Sequence, residues 1–219
     1  QEPLRKIQTF ITRIMETEED CLSENGKNYL NRTQDAANRM QNLIRDLLAY
    51  SRLNAEVFPM ENANLYDIVA EVKSDLEESI HEKNAQVIVK GNPEVKIIGS
   101  QFRQLLTNLL SNSLKFSRPD VPPQITIENE RVNADVVPFE NKLALHYTKV
   151  SIQDNGIGFD AQYSDRIFEV FQRLHTIKDY PGTGIGLAIV KKIVDNHHGF
   201  ITAHSESGQG ATFVLYLPA

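Results

Sequence analysis

Asn108, Asn112 and Lys115 follow one another at steps of four and three, which places them on one face of a helix. The surrounding stretch, Phe102 to Phe116, is rich in leucine, so two carboxamides and an ammonium are costly there unless polar partners meet them. A divalent cation carrying phosphates would supply such partners. Magnesium keeps most of its waters and takes few protein oxygens, so a single Asn oxygen can serve as a ligand. Solvent-facing asparagines are the competing reading of these residues taken alone. A second candidate is Asp154-Asn155-Gly156-Ile157-Gly158-Phe159, directly after an apolar run. A carboxylate at a strand end followed by two glycines can sit in a pocket floor while a flat ligand approaches the backbone. Asp154 would accept from an exocyclic amine such as adenine's, where guanine has a carbonyl; Asp-Asn-Gly is equally a common turn.

Gly182-Thr183-Gly184-Ile185-Gly186-Leu187-Ala188 opens a helical pattern, and glycines at a helix start expose backbone donors to an anion. The spacing differs from the dinucleotide fingerprint and from the P-loop. Between these glycine segments lie Phe168, Phe171, Arg173, His175 and Lys178, a mixed stretch suited to a mobile cover over a ligand. Gly208 to Phe213, with Thr212, reads in isolation as a hairpin turn.

The elements that must carry these residues divide the chain in two. Eight of the 11 glycines fall after residue 155, whereas the first 57 residues hold Gly26 alone. The front, 1–57, reads as a helical hairpin. Leu4, Ile7, Ile11 and Ile14 share a face, Ser23 to Lys27 looks like the turn, and Leu30, Thr33, Ala37, Met40, Ile44, Leu47 and Ser51 form a heptad seam that Pro59 ends. Leu43 and Leu48 widen that seam. Two helices cannot cover so wide a stripe, so a homodimer forming a four-helix bundle is expected, the alternative being a hairpin packed on its own back domain. The back, 58–219, interleaves helices (Leu65 to Ile80, a Ser100-capped helix to Phe116, Gly186 to His197) with strands (Gln86 to Lys90, Val95 to Ile98, Ile125 to Val132, Leu143 to Gln153, Phe200 to His204, Ala211 to Leu217). A polar, Pro-containing loop joins the strands on either side of 133–142. The whole is α+β: a hairpin, then an α/β sandwich with helices on one sheet face.

Composition narrows the function classes. The single Cys21 excludes an intramolecular disulfide framework and a cysteine zinc site, and a net charge of -6 argues against a general nucleic-acid binder. No apolar run approaches the ~20 residues of a membrane span, so no membrane contact by this segment is expected. His197 and His198 precede Gly199 at a helix end, where a charged imidazole is mildly favoured.

Taken in order, these motifs resemble the Bergerat-fold (GHKL) ATP-binding domain shared by sensor histidine kinases, DNA gyrase, MutL and heat-shock chaperones, and within it the histidine-kinase branch. NLLSNSLKF (108–116) is similar to that branch's N box, DNGIGF (154–159) to its first glycine box, FEVFQR (168–173) to its phenylalanine box and GTGIGLAIVKKIV (182–194) to its second glycine box. The resemblance implies ATP and Mg2+ as cofactors. Asn112 would ligate the metal with Asn108 assisting, Lys115 and Arg173 would offset phosphate charge, and Asp154 would read the adenine. It extends the nucleotide-binding set to Phe116, Gly156, Ile157, Gly158, Phe168, Phe171, Gly182, Thr183, Gly184, Ile185, Gly186, Leu187 and Thr212.

Hydrolysing relatives carry a glutamate where this chain has Asn108, and an amide cannot act as a general base at neutral pH. Phosphoryl transfer to a histidine, rather than hydrolysis, is therefore implied, with Asn108, Lys115 and Arg173 as catalytic residues. The front resembles the family's dimerisation and phosphoacceptor hairpin, from Gln1 to Ile7 and from Arg39 to Leu53. The accepting histidine is expected three residues before Gln1, and none of the six histidines lies on the first helix. Glu2 stands where many relatives carry Thr or Asn used in dephosphorylating the partner. A response-regulator receiver domain, an upstream sensor region and a cytoplasmic location are implied in turn, with membrane anchoring of the full protein left open. An ATP-switched binding or chaperone module of the same fold is the runner-up, and a silent scaffold the third reading.

Overall fold

The computed structural model describes residues 2–53, 59–140, 142–174, 180 and 182–219. The expected division between 57 and 58 lies outside the described residues, as do His175 and Lys178.

Two antiparallel helices form the front, α1 (Glu2–Thr17) and α2 (Glu24–Arg52), joined through a short 3-10 turn at Glu19–Cys21. The expected turn at Ser23 to Lys27 is instead the first turn of α2. Ser23 Oγ accepts the Gly26 N–H at 3.1 Å and so satisfies one of the donors that every helix start leaves open. The helix stops at Arg52, ahead of Pro59. Leu4, Ile11 and Ala37 are buried between the helices, and Gln8 Nε2 donates to Asn38 Oδ1 and Gln41 Oε1. Ile7, Phe10, Ile14, Met40, Leu47 and Leu48 remain exposed, Phe10 at 61%. The end of α2 also packs on the back domain, through Leu43, Ala49, Tyr50 and the buried Leu53. Part of the apolar stripe thus has a partner within the chain, and part is exposed.

The back begins with β1 (Glu61–Asn64), which sequence reading missed because its Glu-Asn-Ala-Asn lacks apolar alternation. It pairs antiparallel with β3 (Glu94–Ile97). The stretch Leu65 to Ile80 is two helices, α3 (Leu65–Asp75) and α4 (Glu77–Glu82), broken at Leu76, whose φ of -105° and ψ of 12° leave the helical range. The main sheet comprises β2 (Gln86–Gly91), β4 (Gln124–Asn133), β5 (His146–Asp154), β6 (Phe200–Ser205) and β7 (Ala211–Pro218), in the order β2-β4-β5-β7-β6. The β2–β4 pair is parallel and the other pairs are antiparallel. One face of this sheet packs against α3, α5 (Gly99–Lys115) and α6 (Gly186–Asn196), sharing a core with Phe102, Leu105, Leu109, Ile127, Ile152 and Leu215.

The opposite face carries a smaller cluster. Val137, Tyr147, Val214 and Tyr216 are buried there, and Phe139 stacks on Phe200 with ring centres 4.4 Å apart. The segment before β5, expected to be a polar loop followed by strand from Leu143, folds back as this cover. The Leu143 N–H donates to the Tyr147 hydroxyl at 2.8 Å, and β5 starts at His146.

Polar side chains join α5 to α6: Asn196 Nδ2 donates to Gln101 Oε1 at 3.2 Å, and His197 makes a second link. His197 is 1% exposed; its Nε2 accepts the Ile98 N–H at 2.8 Å and its Nδ1 donates to Ile193 O at 2.7 Å. His197, not Ser100, thus occupies the approach to α5, whose N-cap position is Ile98. Burial pushes the imidazole pKa below its usual 6.5, so the buried ring is neutral rather than the helix-end cation of the sequence reading. Because the unfolded chain binds a proton on this ring more readily than the folded one, its contribution to stability is complete above pH ~6.5 and declines as the pH falls below it. In urea unfolding, His197→Phe should lose about 1–3 kcal/mol at pH 7.5 by leaving the Ile98 N–H unpaired. The gap to the parent chain should narrow at pH 5.5; an unchanged gap would contradict a neutral His197.

Candidate functional site

Helix α5 has two working faces. Phe102, Leu105, Leu106, Leu109, Leu110 and Leu114 are buried in the core. Asn108, Asn112 and Lys115, half-buried, line a cavity of about 250 Å³ together with residues of β5, β7 and the start of α6. The spacing that suggested one helical face therefore opens onto one space.

At one end of the cavity, Asp154 closes β5. Its Oδ1 accepts the Gly156 N–H at 2.9 Å and the Ala211 N–H at 3.1 Å, and its Oδ2 accepts the Ser113 hydroxyl at 3.0 Å. Three donors from three elements thus fix the plane of one carboxylate. Gly210 permits this approach. Its φ is +85°, and a Cβ there would lie 2.0 Å from the Asp154 carbonyl oxygen.

Backbone donors and cations also line the cavity. Gly182, Thr183, Gly184 and Gly186 line the wall where α6 begins, and a helix N-terminus presents N–H groups and the positive end of its dipole. Lys115 and Arg173 stand nearby. Burial, and then the proximity of Arg173, lower the Lys115 pKa, as expected when two cations share a partly dry pocket. Arg173 also shapes the wall, since Nη1 donates to Gly182 O at 2.8 Å and Nη2 to Tyr180 O at 2.9 Å. Lys115 Nζ lies 4.4 Å from the centre of the Phe116 ring, which packs on Tyr180 at 4.9 Å. Gly186 passes so close to Asn108 that an added Cβ would sit 3.3 Å from its Oδ1.

Of the residues singled out from sequence, Asn108, Asn112, Lys115, Phe116, Asp154, Gly158 and Arg173 line this cavity, with Gly182, Thr183, Gly184, Gly186 and Leu187. Others stand behind or beside it. Gly156 donates to Asp154, and the Ile157 N–H bonds Phe116 O. Phe168 packs edge-on against Phe213, which does line the cavity. Phe171 is 57% exposed with φ +68°, its N–H bonded to Gly184 O. Ile185 is fully buried in the core, and Thr212 pairs with Gln153 in the sheet.

Sequence reading missed Gln172 and Tyr180 on the lining, and with them Ser113 and Asp46. Ser113 carried a signal, a hydroxyl on the leucine face of α5 beside Leu109, Leu110 and Leu114. Asp46 carried none, because it belongs to α2 and reaches the cavity through the packing of the two regions.

The fold and the motif set define a nucleotide-handling class, and comparison with known proteins agrees. Residues 98–219 match the family described as histidine kinase-, DNA gyrase B-, and HSP90-like ATPase, more than half of the chain, and the chain belongs to that family. Residues 1–56 match the His Kinase A (phospho-acceptor) domain, which places it on the histidine-kinase branch. Cyanobacterial phytochrome A of a Nostoc species is 35% identical over 218 residues, 100% of this chain and 27% of the relative. The chain thus spans about a quarter of the length of such curated relatives. Among solved structures, full-length ShkA in complex with AMPPNP superposes with a TM-score of 0.69 at 22% identity, covering 99% of this chain and 43% of ShkA. The histidine kinase ThkA in complex with the response regulator TrrA gives 0.63 at 22% identity, covering 99% and 59%. No helix among the described residues is long and apolar enough to cross a membrane.

Gly210→Ala tests the packing behind Asp154. The added methyl meets backbone, which cannot swing aside, so the variant should unfold at a clearly lower urea midpoint, the left-handed φ alone accounting for about 1–2 kcal/mol. An unchanged midpoint would mean that Asp154 is not held as described.

Proposed function

We propose that the cavity binds ATP with Mg2+ and that the chain is the catalytic core of a two-component sensor histidine kinase, moving the γ-phosphoryl group of ATP to a histidine. The observation that carries this reading is the chemistry gathered round a single cavity. A fixed carboxylate, Asp154, lines it together with two amides, two cations and a helix start. A purine amine suits the carboxylate, and a triphosphate suits the amides, cations and helix start. Occupancy of ShkA by AMPPNP supports the same ligand class.

Asn108 favours transfer over hydrolysis, since its carboxamide cannot take a proton from water at neutral pH. What remains for the protein is positioning and charge stabilisation as the phosphorus–oxygen bond to ADP breaks and a phosphorus–nitrogen bond forms. Lys115 and Arg173 offset phosphate charge, and the glycine segment 182–186 lends backbone donors. Asn112, assisted by Asn108, would hold the magnesium, whose chemistry is to neutralise the phosphates. The donor set fits, because amide oxygens, phosphates and water suit a hard cation that keeps most of its waters. Among the described residues no three His, Cys, Asp or Glu side chains converge on a metal of their own.

The exposed stripe Ile7, Phe10, Ile14, Met40 and Leu47 favours a homodimer through the hairpin. The hairpin is also the docking place of a response-regulator receiver domain, which would take the phosphoryl group onto an aspartate; the ThkA–TrrA complex supports that class of partner. A cytoplasmic location and an upstream sensor region belong to the same reading. An ATP-hydrolysing switch is disfavoured by Asn108.

Asp154→Asn should fold normally, its amide still serving Ser113 and the two backbone N–H groups. It should nevertheless weaken ATP binding by about 1.5–3 kcal/mol in calorimetry, the scale of a hydrogen bond to a charged group; unchanged affinity would move the purine elsewhere. Asn112→Asp should alter the magnesium dependence of ATP binding while leaving adenosine affinity nearly intact, and equal loss for both ligands would point to structural damage. With a histidine acceptor supplied, label from γ-labelled ATP should become protein-bound and acid-labile, as phosphohistidine is.

A further inference from the structure

The hairpin contributes a charged group to the cavity wall. Thr183 Oγ1, in the glycine segment, donates to Asp46 Oδ2 on α2 at 2.5 Å and accepts the Ile185 N–H at 3.4 Å. The hydroxyl proton is thereby committed to Asp46, and the carboxylate lines the same cavity as Asn112, Lys115 and Arg173. The approach is built into α2. Leu43, Asp46, Tyr50 and Leu53 follow at steps of three, four and three, so one helical face carries both the packing residues and the charge. Asn196 Nδ2 secures the end of that face by donating to Leu53 O at 2.9 Å.

We propose that Asp46 is a control residue of the nucleotide site: bonded to Thr183, it latches the hairpin against the glycine segment and sets a negative charge at the end of the cavity that receives phosphates. This rests on the ATP reading above. Asp154 is held by three donors, whereas Asp46 is bonded into the glycine segment that would receive the phosphates, where its charge opposes theirs. A triphosphate and the latched hairpin are therefore in competition. Since coupling between two sites is reciprocal, ATP binding favours release of α2 and latching weakens ATP. A ligand with purine but no phosphate makes no such demand.

Calorimetric titration of this chain, Asp46→Ala and Asp46→Asn with Mg-ATP and with adenosine separates the outcomes. Asp46→Ala should bind ATP about fivefold more tightly or better, the low end of typical coupling, with adenosine affinity within about twofold of the parent by the same argument. Asp46→Asn, which removes charge but can still accept from Thr183, should fall between them for ATP. ATP affinity unchanged or weakened in Asp46→Ala overturns the latch alone, weakening being the sign of a metal-ligating Asp46. An equal gain for adenosine overturns the charge argument. If the parent chain and both variants are folded yet bind neither ligand, the nucleotide reading fails and takes the latch with it.

Discussion

The carboxylate of Asp154 is the point at which three separate elements become one site. Ser113 reaches it from α5, Gly156 from the loop after β5, and Ala211 from the start of β7. Asp154 is half-buried, and the three donors offset what its acceptors lose on leaving water, so these bonds support the fold as well as the pocket. They also leave the carboxylate one orientation. Preorganisation of this kind lets a single side chain discriminate between ligand edges without ordering itself on binding. Gly210, by approaching the Asp154 carbonyl closer than any side chain allows, is part of the same constraint.

The anion end is organised on a different principle. There the backbone supplies the donors, at the start of α6, and Arg173 spans the Tyr180 and Gly182 carbonyls to shape the segment leading into it. Lys115 is kept partly dry beside that guanidinium, so its charge is disfavoured. On the proposed reading, a phosphate-bearing ligand would offset the repulsion between the two cations. Asp46, on a neighbouring helix, lines the same cavity and accepts the Thr183 hydroxyl.

Much of this was legible in the sequence. The steps of four and three from Asn108 to Lys115 identified one helical face, and the leucines between them identified the other. Asp154 and the glycines at 182–186 were recognisable because few residue types can occupy a strand end and a helix start that must approach a ligand. What escaped reading lay in long-range packing. Asp46 sits in a heptad-like helix whose pattern says nothing of a contact 137 residues away. The cover over Tyr147 and Phe200 looked polar because its apolar members, the buried Val137 and the partly buried Phe139, are scattered through a Pro-containing loop. His197 looked like a helix-end cation, since burial, which keeps it neutral, is a property of the assembled fold. The break at Leu76 likewise has no glycine or proline to announce it.

The central claim is that one fixed carboxylate reads a purine through its exocyclic amine. Titrating the chain with ATP and with GTP at equal magnesium tests it most directly. Guanine presents a carbonyl to Asp154, so GTP should bind at least about tenfold more weakly, the equivalent of one lost charge-assisted hydrogen bond. Equal affinity for the two nucleotides would contradict the account.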